Sequence, residues 1–204
     1  MMDNENAWDK LLHIRTSGRD DTNSDTFRYP YEPTPYCVLE RLAKSGLFSK
    51  KDRALDYGCG KGRVGFFLSY QAKIKSVGIE YDERILNRAL ENKSSAVSGD
   101  RVELVGVCAE EYSVPHDVNR CYFFNPFSVE ILKKVMARIL ESYYEESREI
   151  LLFFYYPSDE YMGYLMTVDE LEFYDEITCT DLFDGNDRRE RVMIFRLPDF
   201  SENV

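Results

Sequence analysis

Apolar residues in this 204-residue chain change their spacing repeatedly, from short continuous runs to stripes with helical periodicity. The short runs predict strands, and the stripes between them predict helices that return the chain to the same edge of a sheet. The predicted strands are 53–57, 74–80, 102–107, 120–124 and 149–156. The predicted helices are about 35–44, 62–72, 83–96, 129–144 and 159–166.

Two further apolar segments, about 171–183 and 190–197, flank the turn sequence Asp184-Gly-Asn-Asp187 and predict an antiparallel hairpin. Strands that alternate with helices are typical of a parallel sheet covered on both faces. The fold class predicted here is α/β, a doubly wound and mostly parallel seven-stranded sheet that ends in the antiparallel hairpin.

The first 28 residues are mostly polar and are predicted to form an N-terminal arm or lid ahead of a domain of residues 29–204. Trp8, Leu11, Leu12 and Ile14 have the spacing of one face of a short helix, whereas 17–26 has the composition of a loop. A frayed arm and a lid over the site both fit this pattern.

Three prolines keep the following segment, 29–36, extended. Thr34 and Pro35 suit the N-cap and the first position of the next helix. Tyr29, Tyr31 and Tyr36 either anchor this segment on the core or form the wall of a ligand site.

The formal net charge is −11, from 26 basic and 37 acidic residues. This balance disfavours general binding to nucleic acid, because a phosphate backbone requires clustered cations. The start of the chain is polar and acidic, unlike a signal peptide, and no apolar run approaches the ~20 residues of a membrane span. We therefore expect a cytoplasmic protein. Five cysteines and two histidines, His13 and His116, lack the spacing of a zinc site, so no metal is predicted.

Four glycines follow the first predicted strand and allow two interpretations. Gly60-x-Gly62-x-x-Gly65, with Glu80 about twenty residues later, fits a dinucleotide-binding turn. In the other register Asp56 is followed by Gly58, Gly60 and Gly62 at alternate positions. An acid at the strand end would repel a pyrophosphate, whereas Lys61 in the loop would suit a phosphate.

The second register resembles the first motif of the class I S-adenosylmethionine-dependent methyltransferases, and the resemblance extends over about 29–197. It implies S-adenosylmethionine as the cofactor, whose ammonium and sulfonium an acid such as Asp56 would favour. The alternatives are an NAD(P)-dependent oxidoreductase and a non-catalytic cofactor-binding subunit.

The resemblance implies cofactor contacts at several positions. Asp56 would lie near the methionine amino group, and Glu80 would accept hydrogen bonds from the ribose hydroxyls. The family often has an acid at the position of Cys108 to meet the adenine amine, so Glu110 or backbone groups would take that role here. The other implied contacts are Gly58, Cys59, Gly60, Gly62, Tyr81, Ala109, Asn125 and, in an extended Thr-Pro segment at the methionine end, Thr34 and Tyr36.

Asn125-Pro126-Phe127 follows the fourth predicted strand and resembles the Asn-Pro-Pro-aromatic motif of methyltransferases that modify planar amines. The resemblance implies that the Asn125 side chain and the Pro126 carbonyl accept hydrogen bonds from an amine while Phe127 stacks on the acceptor. Catalysis would rest on positioning. The second proline is absent, so base specificity is not implied. The expected reaction is methyl transfer to a nitrogen of a small molecule, protein or RNA.

Overall fold

The computed structural model describes residues 2–200, and within that range the strands form one seven-stranded sheet. Its strands are β1 Arg53–Tyr57, β2 Lys75–Glu80, β3 Val102–Gly106, β4 Arg120–Phe123, β5 Ile150–Tyr155, β6 Glu172–Thr178 and β7 Arg191–Leu197. They lie in the order β3-β2-β1-β4-β5-β7-β6. The first five are parallel, and β7 runs antiparallel to both β5 and β6. The predicted fold class and the terminal hairpin are confirmed.

Helices cover both faces of this sheet. They are α1 Met2–Leu12, α2 Tyr36–Ala43, α3 Arg63–Gln71, α4 Glu83–Ser95, α5 Val129–Glu145 and α6 Asp159–Leu165. One apolar core lies between the sheet and α1, α2 and α3, and a second lies between the sheet and α5 and α6.

Strand β5 contributes to both cores. Ile150, Leu152 and Phe154 belong to the core beneath α5, whereas Leu151 and Phe153 belong to the opposite one. Successive side chains of a strand point to opposite faces, so a strand buried on both sides is apolar throughout. Burial on both faces therefore explains the uninterrupted apolar run from which this strand was predicted.

The N-terminal helix α1 packs on the body of the fold. The Trp8 ring lies edge-on to the ring of Phe67 in α3, with 4.9 Å between centroids, and Leu12 is fully buried. Leu11 is 49% exposed, so it does not share the buried face predicted for it. Through Trp8 and Leu12, α1 therefore packs against the core of the α2–α3 face.

One local prediction fails because the side chain has a partner elsewhere in the chain. Thr34 does not cap α2: Pro35 is the N-cap residue, and the Thr34 hydroxyl is hydrogen bonded to the Tyr122 hydroxyl on β4 at 2.9 Å. On α4, Leu90 is 42% exposed, whereas Asn92 is buried and its side chain accepts a hydrogen bond from the Arg15 backbone N–H at 2.8 Å.

Replacing Leu152 by alanine should destabilise the protein by about 2–5 kcal/mol, because a fully buried side chain would leave a cavity in a core that cannot fully close. Leu11→Ala, at a half-exposed position, should change the free energy of unfolding by no more than about 0.5 kcal/mol. Urea unfolding of both variants measures the difference, and equal effects would contradict the assignment of the core.

Candidate active site

A cavity lies at the carboxyl ends of the parallel strands β1, β2 and β4. The carboxyl ends of neighbouring parallel strands meet at one sheet edge, which is where open α/β sheets bind ligands. Ten of the residues predicted from the sequence line this cavity: Thr34, Asp56, Gly58, Cys59, Glu80, Tyr81, Ala109, Glu110, Pro126 and Phe127. Gly60, Gly62, Tyr36 and Asn125 do not line it.

The turn after β1 requires its glycines. Gly58, Gly60 and Gly62 all have positive φ, at 69°, 55° and 86°. A Cβ on Gly58 would lie 2.5 Å from the Pro126 Cβ, and one on Gly60 would lie 2.2 Å from the Tyr31 ring. Gly60 and Gly62 therefore shape the turn, whereas Gly58 also borders the cavity.

Asp56 carries an unsatisfied acceptor into this cavity. The residue is 4% exposed, and its Oδ2 has no hydrogen-bond partner among the described residues. Burial, with a smaller contribution from the nearby Glu80 carboxylate, raises the pKa of Asp56 to about 8. A cationic group bound beside it would supply the missing partner and restore ionisation.

Glu80 ends β2 and holds the glycine turn in place. Its Oε2 accepts a hydrogen bond from the Gly60 N–H at 3.0 Å, and its Oε1 accepts one from the Asp82 N–H at 2.9 Å. Burial raises the pKa of Glu80 although these backbone donors oppose the shift. Because a carboxylate has about four acceptor positions, Glu80 can bind further donors from the cavity.

The side of the cavity predicted to hold adenine contains an ion pair. The Glu110 carboxylate accepts from the Arg28 guanidinium at 3.1 Å, and the same nitrogen lies 3.6 Å from the Cys108 sulfur. The Arg28 guanidinium also lies 4.9 Å from the centroid of the Tyr81 ring. Glu110 is thus paired with the N-terminal segment at the place where the sequence predicted an adenine contact.

Tyr36 does not reach the cavity, which corrects the prediction that it contacts the cofactor. Its ring is fully buried among core residues, 4.2 Å from the Arg63 guanidinium, and its hydroxyl donates to Asp9 at 2.6 Å. The extended 29–35 segment ends in a helix, and the first helical residue of α2 points inward.

Asn125 lies behind the cavity and joins the ends of β4 and β5. Its amide donates to the Tyr156 carbonyl, and its side-chain oxygen accepts from the Ser158 N–H at 3.3 Å. Both Asn125 and Tyr156 have left-handed backbone conformations, with φ of 38° and 50°. Such conformations are unfavourable for residues other than glycine and cluster at functional sites.

The neighbours of Asn125 face the cavity with most of their polar atoms in use. The Pro126 carbonyl accepts from the Tyr29 N–H at 3.2 Å, and the Phe127 carbonyl accepts from the Tyr161 hydroxyl at 2.6 Å. Phe127 is only 4% exposed. Its ring therefore has little free face for stacking on a substrate in this arrangement.

No protein-family model matches the chain. A protein-lysine N-methyltransferase of Saccharolobus islandicus (strain REY15A) is 33% identical over 72 residues, which are 34% of this chain and 45% of that protein. An RNA methyltransferase from Salinibacter ruber in complex with S-adenosyl-L-homocysteine is similar in structure, with a TM-score of 0.55 and 18% identity over 82% of this chain and 94% of that chain. A TehB-like SAM-dependent methyltransferase from Corynebacterium glutamicum has a TM-score of 0.57 and 16% identity over 79% and 88%.

The chain has the Rossmann-like fold of the class I methyltransferases. At these identities the likeness to the solved structures concerns the fold, and the match to the lysine methyltransferase spans less than half of that relative. In the methyltransferase fold of this chain, the glycine turn, Asp56 and Glu80 lie at one sheet edge, as their positions at strand ends predicted.

Sequence analysis did not identify Arg63, the first residue of α3. It lines the cavity and is 2% exposed. Its guanidinium donates to the Thr16 hydroxyl at 2.7 Å, to the Thr34 carbonyl at 3.0 Å and to Glu5. The second terminal nitrogen, Nη2, has no hydrogen-bond partner among the described residues. An arginine directly after the glycine turn was the only signal available.

Residues 16–33 form a loop that folds back on itself through an antiparallel bridge between Asp20 and Tyr31, and residues 20–33 of this loop border the cavity. We call this loop the N-terminal strap. The Tyr31 ring covers Gly60, and the Tyr31 hydroxyl donates to the Thr16 carbonyl at 2.5 Å. The Asn23 amide donates to Asp82 at 3.0 Å on the far side. The free cavity beneath the strap measures about 80 Å³.

In residues 2–200 no three histidine, cysteine, aspartate or glutamate residues are grouped as metal ligands. No helix in the same range is both long and apolar enough to cross a membrane.

Asp56→Asn should remove a pH-dependent loss of stability. With a folded-state pKa of about 8 against ~3.9 in the unfolded chain, native Asp56 holds a proton that the unfolded state releases between these values. Its contribution to the free energy of unfolding therefore falls as pH rises from 5 to 8. The advantage of Asp56→Asn over wild type should grow over the same interval, as measured by urea unfolding without ligand.

The exposed substitution Asp100→Asn is the control and should follow the wild-type pH profile. Parallel profiles for wild type and Asp56→Asn would contradict the buried, protonated state of Asp56.

Proposed function

We propose that this chain is an S-adenosylmethionine-dependent methyltransferase that modifies a nitrogen. The observation that carries the proposal is a buried polar atom of the cavity that has no hydrogen bond among the described residues, the Asp56 Oδ2 acceptor. The Arg63 Nη2 donor in the same cavity also lacks a hydrogen bond there, and its neighbouring charge is the Asp9 carboxylate at 3.9 Å. Burying such groups without partners is costly, so they are expected to meet a ligand. The methionine end of the cofactor is a zwitterion, with an ammonium for Asp56 and a carboxylate for Arg63.

The remaining cavity residues fit the same cofactor. Glu80 has acceptor capacity left for a ribose diol, and the backbone at Gly58 and Cys59 borders the cavity without a bulky side chain at Gly58. When bound, the cofactor would supply a methyl group activated by a sulfonium. The protein's part is to hold the methyl donor and to orient the acceptor nitrogen in line with it.

A dinucleotide fits this cavity less well. Two buried carboxyl groups, Asp56 and Glu80, border the place where a pyrophosphate would lie, and its negative charge would oppose the ionisation of both, whereas an ammonium favours it. The NAD(P)-dependent alternative would also leave Asp56 without a cationic partner.

Nitrogen as the acceptor atom is supported by two observations. Asn125-Pro126-Phe127 follows β4 beside the cavity, in the order of the amine-modifying motif. The curated relative from Saccharolobus islandicus is named a protein-lysine N-methyltransferase. The acceptor is a nitrogen of a small molecule, a protein or RNA.

The N-terminal strap is the lid of this site. Small-molecule sites measure about 300–1,000 Å³, whereas the strap leaves about 80 Å³ free. Cofactor entry therefore requires Tyr31 to leave its position over Gly60 and the strap to open. The strap then forms the outer wall of the occupied site.

S-adenosylhomocysteine should raise the thermal stability of the protein, by about 2.7 kcal/mol at a hundredfold excess over its Kd, and NAD should not. Stabilisation by NAD instead would favour the oxidoreductase.

Asp56→Asn should weaken S-adenosylhomocysteine binding by about 1.5–3 kcal/mol, because the ammonium loses a charged partner. Calorimetric titration of wild type and Asp56→Asn tests this, with Asp100→Asn as the control.

Binding of S-adenosylhomocysteine should also release a proton below pH 8. Asp56 is protonated in the free protein, with a pKa of about 8, and the ligand ammonium favours its ionised form. Titrations at pH 6.5 in buffers of different ionisation enthalpy should give about one proton released by wild type and none by Asp56→Asn. Equal proton release by both proteins would place the ligand ammonium elsewhere.

A further inference from the structure

A second groove opens beside the cofactor cavity and shares a wall with it. Tyr29, Glu32 and Phe124 line both depressions. The groove has a volume of about 440 Å³, within the range of small-molecule sites. We call it the aromatic groove, and its further defining residues are Asn125, Tyr155, Tyr156, Phe183 and Glu190. A ligand in it would lie next to the cofactor, on the side of the Asn125 motif.

Three rings of the aromatic groove stand at angles to one another. The Phe124 centroid lies 4.7 Å from that of Tyr155 and 6.5 Å from that of Tyr156, and the two tyrosine centroids are 6.1 Å apart. Their planes differ by 53°, 81° and 55°, so they do not form a stack. Aromatic rings that line a groove attract alkylammonium groups.

Two carboxylates give the groove a preference for cations. Glu190 is half-buried, and its Oε2 accepts a hydrogen bond from the Tyr155 hydroxyl at 2.6 Å, which fixes its position among the rings. Glu32 lies at the exposed mouth, where its nearest cation is the exposed Arg19 at 3.9 Å. Among the described lining residues Arg19 is the one basic side chain.

The Tyr156 ring already holds a cation. The Arg189 guanidinium lies 4.5 Å from the Tyr156 centroid but does not line the groove. Arg189 also donates to the Asp187 carboxylate at 3.2 Å and to the Tyr156 hydroxyl at 2.6 Å, which hold it beside the ring.

The backbone is strained where the two depressions meet. Asn125 and Tyr156, at the ends of the adjacent strands β4 and β5, both have left-handed φ and are tied together by a hydrogen bond. Strain of this kind costs of order 1–3 kcal/mol per residue and persists where side chains must be aimed. Here it sets the orientation of one ring and one amide of the groove.

We propose that the aromatic groove binds the side chain of a substrate lysine on a protein and delivers its amine to the methyl donor, an inference that rests on the proposed function. The rings surround the aliphatic stem, and Glu190 and Glu32 attract the ammonium. Asn125 lines the groove, and its neighbours Phe124 and Pro126 line the cofactor cavity into which the amine would pass.

The reaction balances without an oxidant or a reductant. The lysine ammonium first loses one proton to solvent water at the groove mouth. Its nitrogen lone pair then forms the new N–C bond to the methyl group of a sulfonium donor. The C–S bond breaks with its electron pair remaining on sulfur, which yields a methylammonium and a neutral thioether.

The charge of the groove favours a lysine side chain over RNA as the acceptor. Aromatic rings also stack on nucleobases, but a base arrives with its phosphates. The groove carries two acids, and the chain has a net charge of −11. A cationic side chain is attracted by this field, whereas a polyanion is repelled.

The test uses the full-length protein with S-adenosylmethionine and three probes. These are a peptide library with lysine fixed at the centre and randomised flanks, the same library with Nε-acetyl-lysine, and a mixed-sequence single-stranded RNA. Mass spectrometry should detect a 14-Da gain, a transferred methyl replacing one hydrogen, on the lysine library alone. S-adenosylhomocysteine affinity is measured in parallel by calorimetry.

Two variants test the groove itself. Glu190→Gln should raise KM for the lysine library about tenfold or more, with little change in kcat, because it removes charge but not shape. Phe183→Leu should raise KM about threefold to thirtyfold. Glu91→Gln on α4 and Phe173→Leu on β6 are matched controls and should leave KM unchanged. All four variants should bind S-adenosylhomocysteine like wild type.

Failure of wild type to bind S-adenosylhomocysteine would overturn the proposed function and this inference together. Intact binding with methylated RNA, with no methylation of the lysine library, or with equal methylation of the acetylated library would overturn the inference alone. Methylated lysine with unchanged KM in both groove variants would place the acceptor outside the aromatic groove.

Discussion

Glu80 holds the candidate site in shape, because one buried carboxylate connects three parts of the sheet edge. It ends β2, accepts a hydrogen bond from the Gly60 N–H in the turn after β1, and accepts another from the Asp82 N–H at the start of α4. A buried carboxylate requires such donors. The turn can supply one only in its tight form, in which Gly58, Gly60 and Gly62 have positive φ. The glycine spacing and the acid at the end of β2 therefore depend on each other, because the glycines allow the tight turn and the turn donates a hydrogen bond to the acid.

Asp56 lies at the same sheet edge, but its carboxyl group is less well satisfied by hydrogen bonds than that of Glu80. It is as deeply buried as Glu80, but one of its oxygens has no partner, and its proton is retained to about pH 8 as a result. The sheet edge thus contains one acid satisfied by the backbone and one left unsatisfied. Functional sites often carry such unfavourable groups at the expense of stability. Arg63 adds to the same cavity a donor, Nη2, that has no hydrogen bond among the described residues and lies 3.9 Å from the Asp9 carboxylate.

Local sequence patterns predicted the elements whose conformation depends mainly on residues close to one another in the sequence. Strand β5 follows from its apolar run, and the turn after β1 follows from its glycines. The fold class and ten lining residues of the cavity were obtained from such signals and from the motif resemblance.

Contacts between distant parts of the chain were not predictable in this way. Thr34 pairs with Tyr122, 88 residues later, and this contact overrides its preference for a helix cap. The burial of Tyr36 against Asp9 and the fixing of Arg63 by Thr16 depend on where α1 packs. The sequence near these positions gives no indication of the partner, so these contacts are seen only in the structure.

Strand β7 lies between β5 and β6 in the sheet. Residues from distant parts of the sequence line the two depressions. Phe183 and Glu190 belong to the loop that precedes β7, whereas Asp56 and Glu80 end β1 and β2 in the other half of the sheet. The loop residues do not line the cofactor cavity. A mutation in residues 183–190 can therefore change the aromatic groove without changing any residue that lines the cavity at the ends of β1 and β2.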